Sequence, residues 1–208
     1  MIPARTPKII SRNFKGFVWD IPNNNNEIYL TFDDGPIPEV TPWILDVLKS
    51  FKLKATFFCV GENIKKHPAI FERLLNEGHS VGNHTYNHLN GWHVDSYLYQ
   101  ENIRKTEYIF KSYGLTSKLF RPPYGKLKLK QSKFLKQQGY DIVMWNVLSK
   151  DYSQRISPEN VKTNILNNTS SGSIIVCHDN IKAFDNLRAV LEPTLIELLD
   201  KGFVFKAL

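Results

Sequence analysis

The stretch Ile28–Pro36, with the sequence IYLTFDDGP, guides the interpretation of the whole chain. Its first half is β-branched and aromatic and lies between the asparagines at 23–26 and a Gly-Pro pair, which predicts a short buried strand. The strand ends at two adjacent carboxylates, Asp33 and Asp34. Side chains alternate across a strand, but the geometry relaxes at its end, so both carboxylates are expected to reach one cleft with separate tasks. In isolation, Asp-Asp-Gly-Pro would favour a simple turn.

Length and composition indicate one domain. The chain has 208 residues, 42% of them hydrophobic and 23% charged, which is enough for one well-buried core and short for two. We divide it into an N-terminal lead-in at residues 1–26, with Phe14, Phe17 and Trp19 as aromatic anchors, and a main domain at residues 27–208. The longest apolar runs are strand-sized, so no transmembrane segment is predicted.

The N-terminus, the cysteines and the net charge give limited information about localisation and binding partners. The N-terminus lacks the apolar stretch of a secretory signal, which predicts a cytoplasmic protein, or an exported one if the natural N-terminus was trimmed. Cys59 and Cys177 each lie in an apolar run, so two buried free thiols are expected. The net charge of +7 favours polyanions. The lysines between 126 and 136 are interpreted as a solvated helix face, and without a nucleic-acid-binding motif no nucleic acid is expected. A monomer is favoured.

Predicted strands and helices alternate along the chain. The strands are predicted at 28–32, 54–60, 79–82, 118–121, 140–147, 173–177 and 203–205. The helices are predicted at 38–48, 68–77, 95–113, 131–138, 158–167 and 187–201. This alternation implies a parallel sheet, and about seven units favour a closed or nearly closed barrel over an open doubly wound sheet. The chain also lacks the glycine-rich dinucleotide fingerprint of the open alternative.

Polar clusters follow the predicted strands one after another. They are Asp33-Asp34, His84 to His88, Arg121 to Tyr124, Asp151-Tyr152 and His178-Asp179. The carboxyl ends of parallel barrel strands share one rim, so these residues are expected to converge there although they are far apart in sequence. The convergence predicts a functional site.

Two histidines in the second cluster have metal-ligand spacing. His84 and His88 are four residues apart, and a single helical turn would place both imidazoles on one side, at a separation suited to one ion. Alone, such a pair is as typical of a polar surface. With a carboxylate from a neighbouring strand end it forms a two-histidine, one-carboxylate set that leaves positions open for water and substrate. Zinc is the expected divalent metal, and cobalt, nickel or iron fit the same ligand types.

Five short motifs, in order, resemble those of the polysaccharide deacetylase family (carbohydrate esterase family 4, the NodB homology domain). They are Thr31–Pro36, His84–His88, Arg121–Gly125, Asp151-Tyr152 as the second half of the fourth, and Val176–His178. The resemblance implies a distorted (β/α)7 barrel in a single domain, with residues 27–208 as the catalytic domain. It also implies a metal-dependent N-deacetylase, a hydrolase of non-peptide carbon–nitrogen bonds, acting on N-acetylhexosamine glycans such as peptidoglycan or chitin-like chains.

The resemblance further implies a role for each matching position. The implied roles are metal ligands for Asp34, His84 and His88; general base for Asp33, oriented by Arg121; general acid for His178, tuned by Asp151; a backbone N–H to the oxyanion for Tyr124; and walls of the acetyl pocket for Pro123, Tyr152 and Val176.

The chain departs from the family pattern at three places. Leu148 and Tyr152 stand where the fourth motif normally has aspartate and tryptophan, and Val176 stands where leucine is usual. None of these changes removes a proposed catalytic group, but they are expected to alter the fit of the acyl group.

Other interpretations stay open beside the resemblance. The chain could hydrolyse another amide or ester, such as acetylated xylan or a small cyclic amide, or it could be a carbohydrate-binding barrel without turnover. The intact set of catalytic groups speaks against the last. His79 is interpreted as structural or exposed, and Trp92 and Tyr86 as core residues more often than sugar platforms. Alternation is expected to point Cys177 away from the face of His178.

Overall fold

The structure is a computed structural model that describes residues 3–14 and 16–208. The strands are β1 (Glu27–Asp33), β2 (Thr56–Cys59), β3 (Ser80–Asn83), β4 (Leu119–Phe120), β5 (Asp141–Ile142), β6 (Val147–Leu148), β7 (Ile174–His178) and β8 (Val204–Lys206). The helices are α1 (Lys8–Asn13), α2 (Val40–Ser50), α3 (Gly61–Lys66), α4 (Pro68–Asn76), α5 (Ser96–Ser112), α6 (Leu129–Gln137), α7 (Pro158–Leu166) and α8 (Ile181–Asp200), with a 3-10 turn at Pro123–Gly125.

The strands form one parallel sheet with β1 at its centre. The order is β5-β4-β3-β2-β1-β7-β6, and β8 pairs with the beginning of β1. Thr31 of β1 pairs with Thr56 on one side and Val176 on the other. Because all strands run in the same direction, their carboxyl ends meet on one rim. The predicted single-domain, distorted (β/α) barrel is confirmed. None of the described helices combines the length and apolarity needed to cross a lipid bilayer.

Alternation along β1 separates the core from the barrel interior. Ile28, Leu30 and Phe32 belong to the large core cluster that the helices cover. Tyr29 belongs to a small cluster with Phe58, Val143 and Ile174. Thr31 and Asp33 share the face of Tyr29, because side chains two apart lie on the same side of a strand. Strand β1 therefore aims Asp33 into the barrel.

The two cysteines are buried free thiols, as predicted. Both belong to the large core cluster. In β7, Cys177 points towards that cluster and the next residue, His178, points to the opposite face, because side chains alternate along a strand. A cysteine nucleophile beside His178 is therefore excluded by geometry.

The N-terminal lead-in contributes to the sheet. Arg5 forms an antiparallel bridge with Val147 of β6, and Val18 forms a parallel bridge with Val143 just after β5. These contacts cover the two edges of the sheet that would otherwise expose unpaired backbone groups. Of the three expected anchors listed above, Phe17 and Trp19 pack against a core cluster, whereas Phe14 is 53% exposed. The sequence did not predict α1.

Two element predictions were wrong at their boundaries. The strand expected at 140–147 is two strands, β5 and β6. Between them the Arg121 guanidinium donates hydrogen bonds to the carbonyl oxygens of Val143 and Met144, which are then not free to pair with another strand. The last helix begins at Ile181 and not at 187, since the Asn180 side chain caps it by accepting a hydrogen bond from the Ala183 N–H. Helix α3 was missed.

Candidate active site

Three potential metal ligands meet at the carboxyl ends of β1 and β3. Asp34, His84 and His88 each offer one ligand atom, and these atoms lie within 4.8 Å of one another. Asp34 Oδ1 is 3.6 Å from His84 Nε2 and 3.1 Å from His88 Nε2. It is buried, yet it has no hydrogen-bond partner among the described residues. A buried carboxylate oxygen of this kind needs a cation, so the donor set fits a divalent metal.

The helical turn predicted for His84 to His88 is wrong. The segment is a loop after β3, in which Thr85 has φ 63° and His88 has φ 55°. The loop is held by Asn83 Oδ1, which accepts a hydrogen bond from the Thr85 N–H at 2.8 Å, and by the Gly61 N–H, which donates to the Thr85 carbonyl at 3.0 Å. The two imidazoles still lie together, with ring centroids 5.0 Å apart.

Protonation states in the cluster suit metal binding. His84 Nδ1 is 2.7 Å from the Arg121 carbonyl oxygen, which can only accept, so this nitrogen carries the proton and Nε2 is left as a ligand. Burial lowers the pKa of His84 to about 4. Burial acts to raise the pKa of Asp34, but the adjacent His88 and His178 outweigh it and hold that pKa well below its usual range. Neutral imidazole and ionised carboxylate are the forms that bind metal.

A fully buried arginine holds the second carboxylate. Arg121 donates from one terminal nitrogen to Asp33 Oδ1 and to Thr31 Oγ1, both at 2.7 Å. Its other donors reach the carbonyl oxygens of Val143 and Met144 at 3.2 and 2.9 Å. This network fixes Asp33 Oδ1 and leaves Oδ2 without a hydrogen-bond partner among the described residues, so Oδ2 can take a proton.

His178 forms a second charged pair on the same rim. Its Nδ1 lies 2.8 Å from Asp151 Oδ1, and its backbone N–H donates to Asp151 Oδ2 at 2.7 Å. Ser149 Oγ also donates to the buried Asp151. Burial acts to lower the pKa of His178, but the negative charges of Asp151, Asp34 and Asp33 outweigh it and raise the pKa to about 9. His178 is therefore protonated near neutral pH.

Strained backbone is concentrated in these segments. Eight non-glycine residues in the described part have positive φ, and four of them are Asp34, Thr85, His88 and Tyr124. Left-handed backbone at such residues is unfavourable, and where it persists it frequently marks functional sites. Tyr124, with φ 60°, follows two prolines and places its ring 4.6 Å from that of His88.

The residues expected to wall an acetyl pocket are only partly brought together. The Tyr152 ring lies edge-on to His178 at 4.9 Å, and Val176 is buried on the same side of β7 as His178. Leu148 pairs with Val176 and is buried, which suits an apolar residue at that place. Pro123 is buried beside Tyr124. The pocket as a whole stays a prediction.

The family model for polysaccharide deacetylases matches residues 20–143, more than half of the chain. The chain belongs to the polysaccharide deacetylase family. A peptidoglycan-N-acetylglucosamine deacetylase of Bacillus cereus is 45% identical over 76% of this chain and 57% of its own length. A second such enzyme from the same organism is 35% identical over 91% and 90%. The predicted family is therefore confirmed, and with it the class of hydrolases acting on non-peptide carbon–nitrogen bonds.

Solved structures of polysaccharide deacetylases share the fold closely. The crystal structure of a peptidoglycan N-acetylglucosamine deacetylase in complex with a 4-naphthalen-1-yl-N-oxidanyl-benzamide superposes with a TM-score of 0.90. The two chains are 38% identical, and the match covers 98% of this chain and 95% of the other.

Two residues without an assigned role also contact the candidate site: Asp179, which the sequence placed on the rim, and Asn180, which it missed. Asp179 is buried and accepts hydrogen bonds from the Gly35 N–H at 2.8 Å and the Thr41 hydroxyl at 2.7 Å. Burial raises the pKa of Asp179 to about 8. Asn180 donates to Asp34 Oδ2 at 2.5 Å while also capping α8. An Asp-Asn pair just before a helix is a capping signal, and it would have indicated Asn180.

Proposed function

We propose that this chain is a metal-dependent N-deacetylase of N-acetylhexosamine glycans, with peptidoglycan as its first candidate substrate. One observation carries the proposal: the Asp34, His84 and His88 cluster shares a rim with the Asp33–Arg121 pair and the His178–Asp151 pair. A carbohydrate-binding barrel has no need for a base, an acid and a ligand set together. The names of the two Bacillus cereus relatives support the glycan and the acetamido group.

Zinc is the metal we propose for the cluster. Two imidazole nitrogens and one carboxylate, with further positions open, are the ligand set of catalytic zinc sites. When bound, a divalent metal supplies Lewis-acid chemistry, because it lowers the pKa of water and polarises a carbonyl oxygen. The Asn180 side chain donates to Asp34 Oδ2, and Oδ1 of the same carboxylate faces the two histidines.

Asp33 is the proposed general base. Its Oδ1 is occupied by Arg121, so Oδ2 takes the proton of the attacking water. The Arg121 guanidinium, 2.7 Å from Oδ1, fixes the carboxylate in one orientation and supplies its buried counter-charge.

His178 is the proposed general acid. Because Asp151 holds Nδ1, Nε2 is the nitrogen that remains to donate a proton to the departing amine. The raised pKa keeps His178 protonated at neutral pH, which is the form that a general acid requires. The backbone N–H of Tyr124 is the proposed donor to the oxyanion of the tetrahedral intermediate.

Acetate release from a panel of substrates tests the proposal. Zinc-loaded protein is incubated with N-acetylglucosamine oligomers, peptidoglycan and acetylated xylan, and the Asp33→Asn variant is the control. Release from an N-acetylated glycan, with most of it lost in the variant, is the expected result. Release from acetylated xylan alone would replace the proposal by an esterase, and full activity of Asp33→Asn would remove the general base from the mechanism.

A further inference from the structure

An exposed tryptophan lies near the candidate active site, and no catalytic role uses it. Trp92 is 57% exposed, although Leu89 and Val94 on either side pack against a core cluster. Trp92 is four residues from His88, so their Cα atoms are at most about 14 Å apart. A large aromatic side chain exposed beside a binding site offers an apolar face to a ligand.

The Trp92 loop is fixed before any ligand arrives. The Trp92 N–H donates to Asn90 Oδ1 at 3.0 Å, and the buried Gln131 side chain donates to the Gly91 carbonyl at 2.9 Å. Gly91 packs so closely that a Cβ there would lie 2.5 Å from the carbonyl oxygen of Lys126. A preorganised loop lowers the ordering cost of binding.

A lysine adds charge to this surface. Lys126 Nζ lies 5.1 Å from the centre of the Trp92 ring and makes no ion pair with any residue in 3–14 or 16–208. Lys126 is two residues after Tyr124, whose ring contacts His88. His88, Tyr124, Lys126 and Trp92 are therefore linked in series: His88 contacts Tyr124, Lys126 follows Tyr124 by two residues, and Lys126 contacts Trp92.

We propose that Trp92 and Lys126 form a subsite for a hexosamine that carries a carboxylate, on the same chain as the acetamido group at the metal cluster. The face of the sugar ring packs on the indole, and the carboxylate pairs with the ammonium. The inference rests on the proposed function, because it takes the substrate to be a glycan, and it adds a preference for acidic over neutral chains.

Calorimetric binding to the metal-loaded Asp33→Asn protein tests the subsite without turnover. The probes are a neutral N-acetylglucosamine tetramer and a tetrasaccharide that alternates N-acetylglucosamine with N-acetylmuramic acid. Adding Trp92→Ala should weaken both probes by about tenfold. Adding Lys126→Met should weaken only the acidic probe, by about two- to fivefold, and Lys126→Arg should restore it.

Matched controls are Tyr97→Ala, which removes an aromatic side chain that is 65% exposed, and Lys130→Met, which removes an exposed lysine. Both should leave the two affinities unchanged.

Unchanged affinities in Trp92→Ala, equal weakening of both probes by Lys126→Met, or binding of neither probe to the parent would overturn the subsite. Acetate release with no effect of Trp92→Ala would defeat only this inference, whereas binding as expected without acetate release would defeat only the proposed function.

Discussion

Replacing Arg121 by methionine should destabilise the whole fold and not only the site. The guanidinium is fully buried and bonds Asp33, Thr31 and the carbonyl groups of Val143 and Met144. Methionine fills much of the space but leaves Asp33 as a buried carboxylate without a counter-charge. Removing one partner of a buried ion pair costs about 3–5 kcal/mol, and with a urea m-value of about 2–3 kcal/mol per molar the unfolding midpoint falls by about 1–2.5 M.

A double-mutant cycle isolates the pair. Unfolding free energies of the parent, Arg121→Met, Asp33→Asn and the double variant are measured in urea at one fixed free zinc concentration, because a bound metal shifts stability. The double variant has no unpaired buried charge, so its loss of unfolding free energy should be smaller than the sum of the two single losses by about 2 kcal/mol. As a matched control, Arg104→Met removes an exposed guanidinium paired with Glu101 and should cost less than about 1 kcal/mol.

Two results would refute this reasoning. Costs that add to within about 0.5 kcal/mol would mean that Arg121 does not compensate Asp33. Equal urea unfolding midpoints for Arg121→Met and Arg104→Met would mean that removing a buried guanidinium costs no more stability than removing an exposed one.

Changes at His79, Gly35 and Asp151 test the protonation states and the close packing of the structure. Burial lowers the pKa of His79 from 6.5 to about 4, so between these pH values the unfolded chain binds a proton that the folded chain does not, and the free energy of unfolding falls as the pH falls. His79→Gln should flatten that fall, and an unchanged slope would contradict it. A Cβ at Gly35 would lie 1.8 Å from Asp179 Oδ2, so Gly35→Ala should cost about 1–3 kcal/mol in urea unfolding, and parent-like stability would count against the close packing. Asp151→Asn removes the charge beside His178, so the alkaline limb of kcat/KM should move to lower pH; an unmoved limb would argue against His178 as the acid.

Periodicity was sufficient to predict where the carboxylates lie. The sequence predicted that the geometry relaxes at the strand end, so that both carboxylates reach one cleft. In the structure Asp33 ends β1 and Asp34 follows it with a positive φ, and both lie on the same rim. The rim itself follows from parallel strands, so His84 and His178 were expected there without any knowledge of their contacts.

The wrong predictions are places where a distant side chain decides the backbone. His84 to His88 has helical spacing, but Asn83 and Gly61 hold the loop in a left-handed conformation that no local pattern encodes. The residues 140–147 have the composition of one strand, but Arg121 interrupts it from the barrel interior. Tertiary contacts overrode local propensity in both cases.

The periodicity of the sequence could not predict the role of each residue within the site. Nothing in the spacing of Arg121 or Asp151 indicates which carboxylate or histidine each will hold, and only the family resemblance assigned those pairs. The structure brings both pairs together at hydrogen-bonding distance. Asn180 was missed because its sequence position is that of an ordinary helix cap, and its contact with Asp34 depends on where α8 begins.

Zinc titration of metal-free protein, with acetate release as the readout, tests the central claim most directly. We expect no acetate release after chelation and, in the parent, recovery that saturates at one zinc per chain. His84→Ala, which loses a ligand, should show no recovery. Asp33→Asn should bind one zinc per chain and still release little acetate. Full acetate release from metal-free protein, or full zinc occupancy in His84→Ala, would contradict the metal-dependent mechanism.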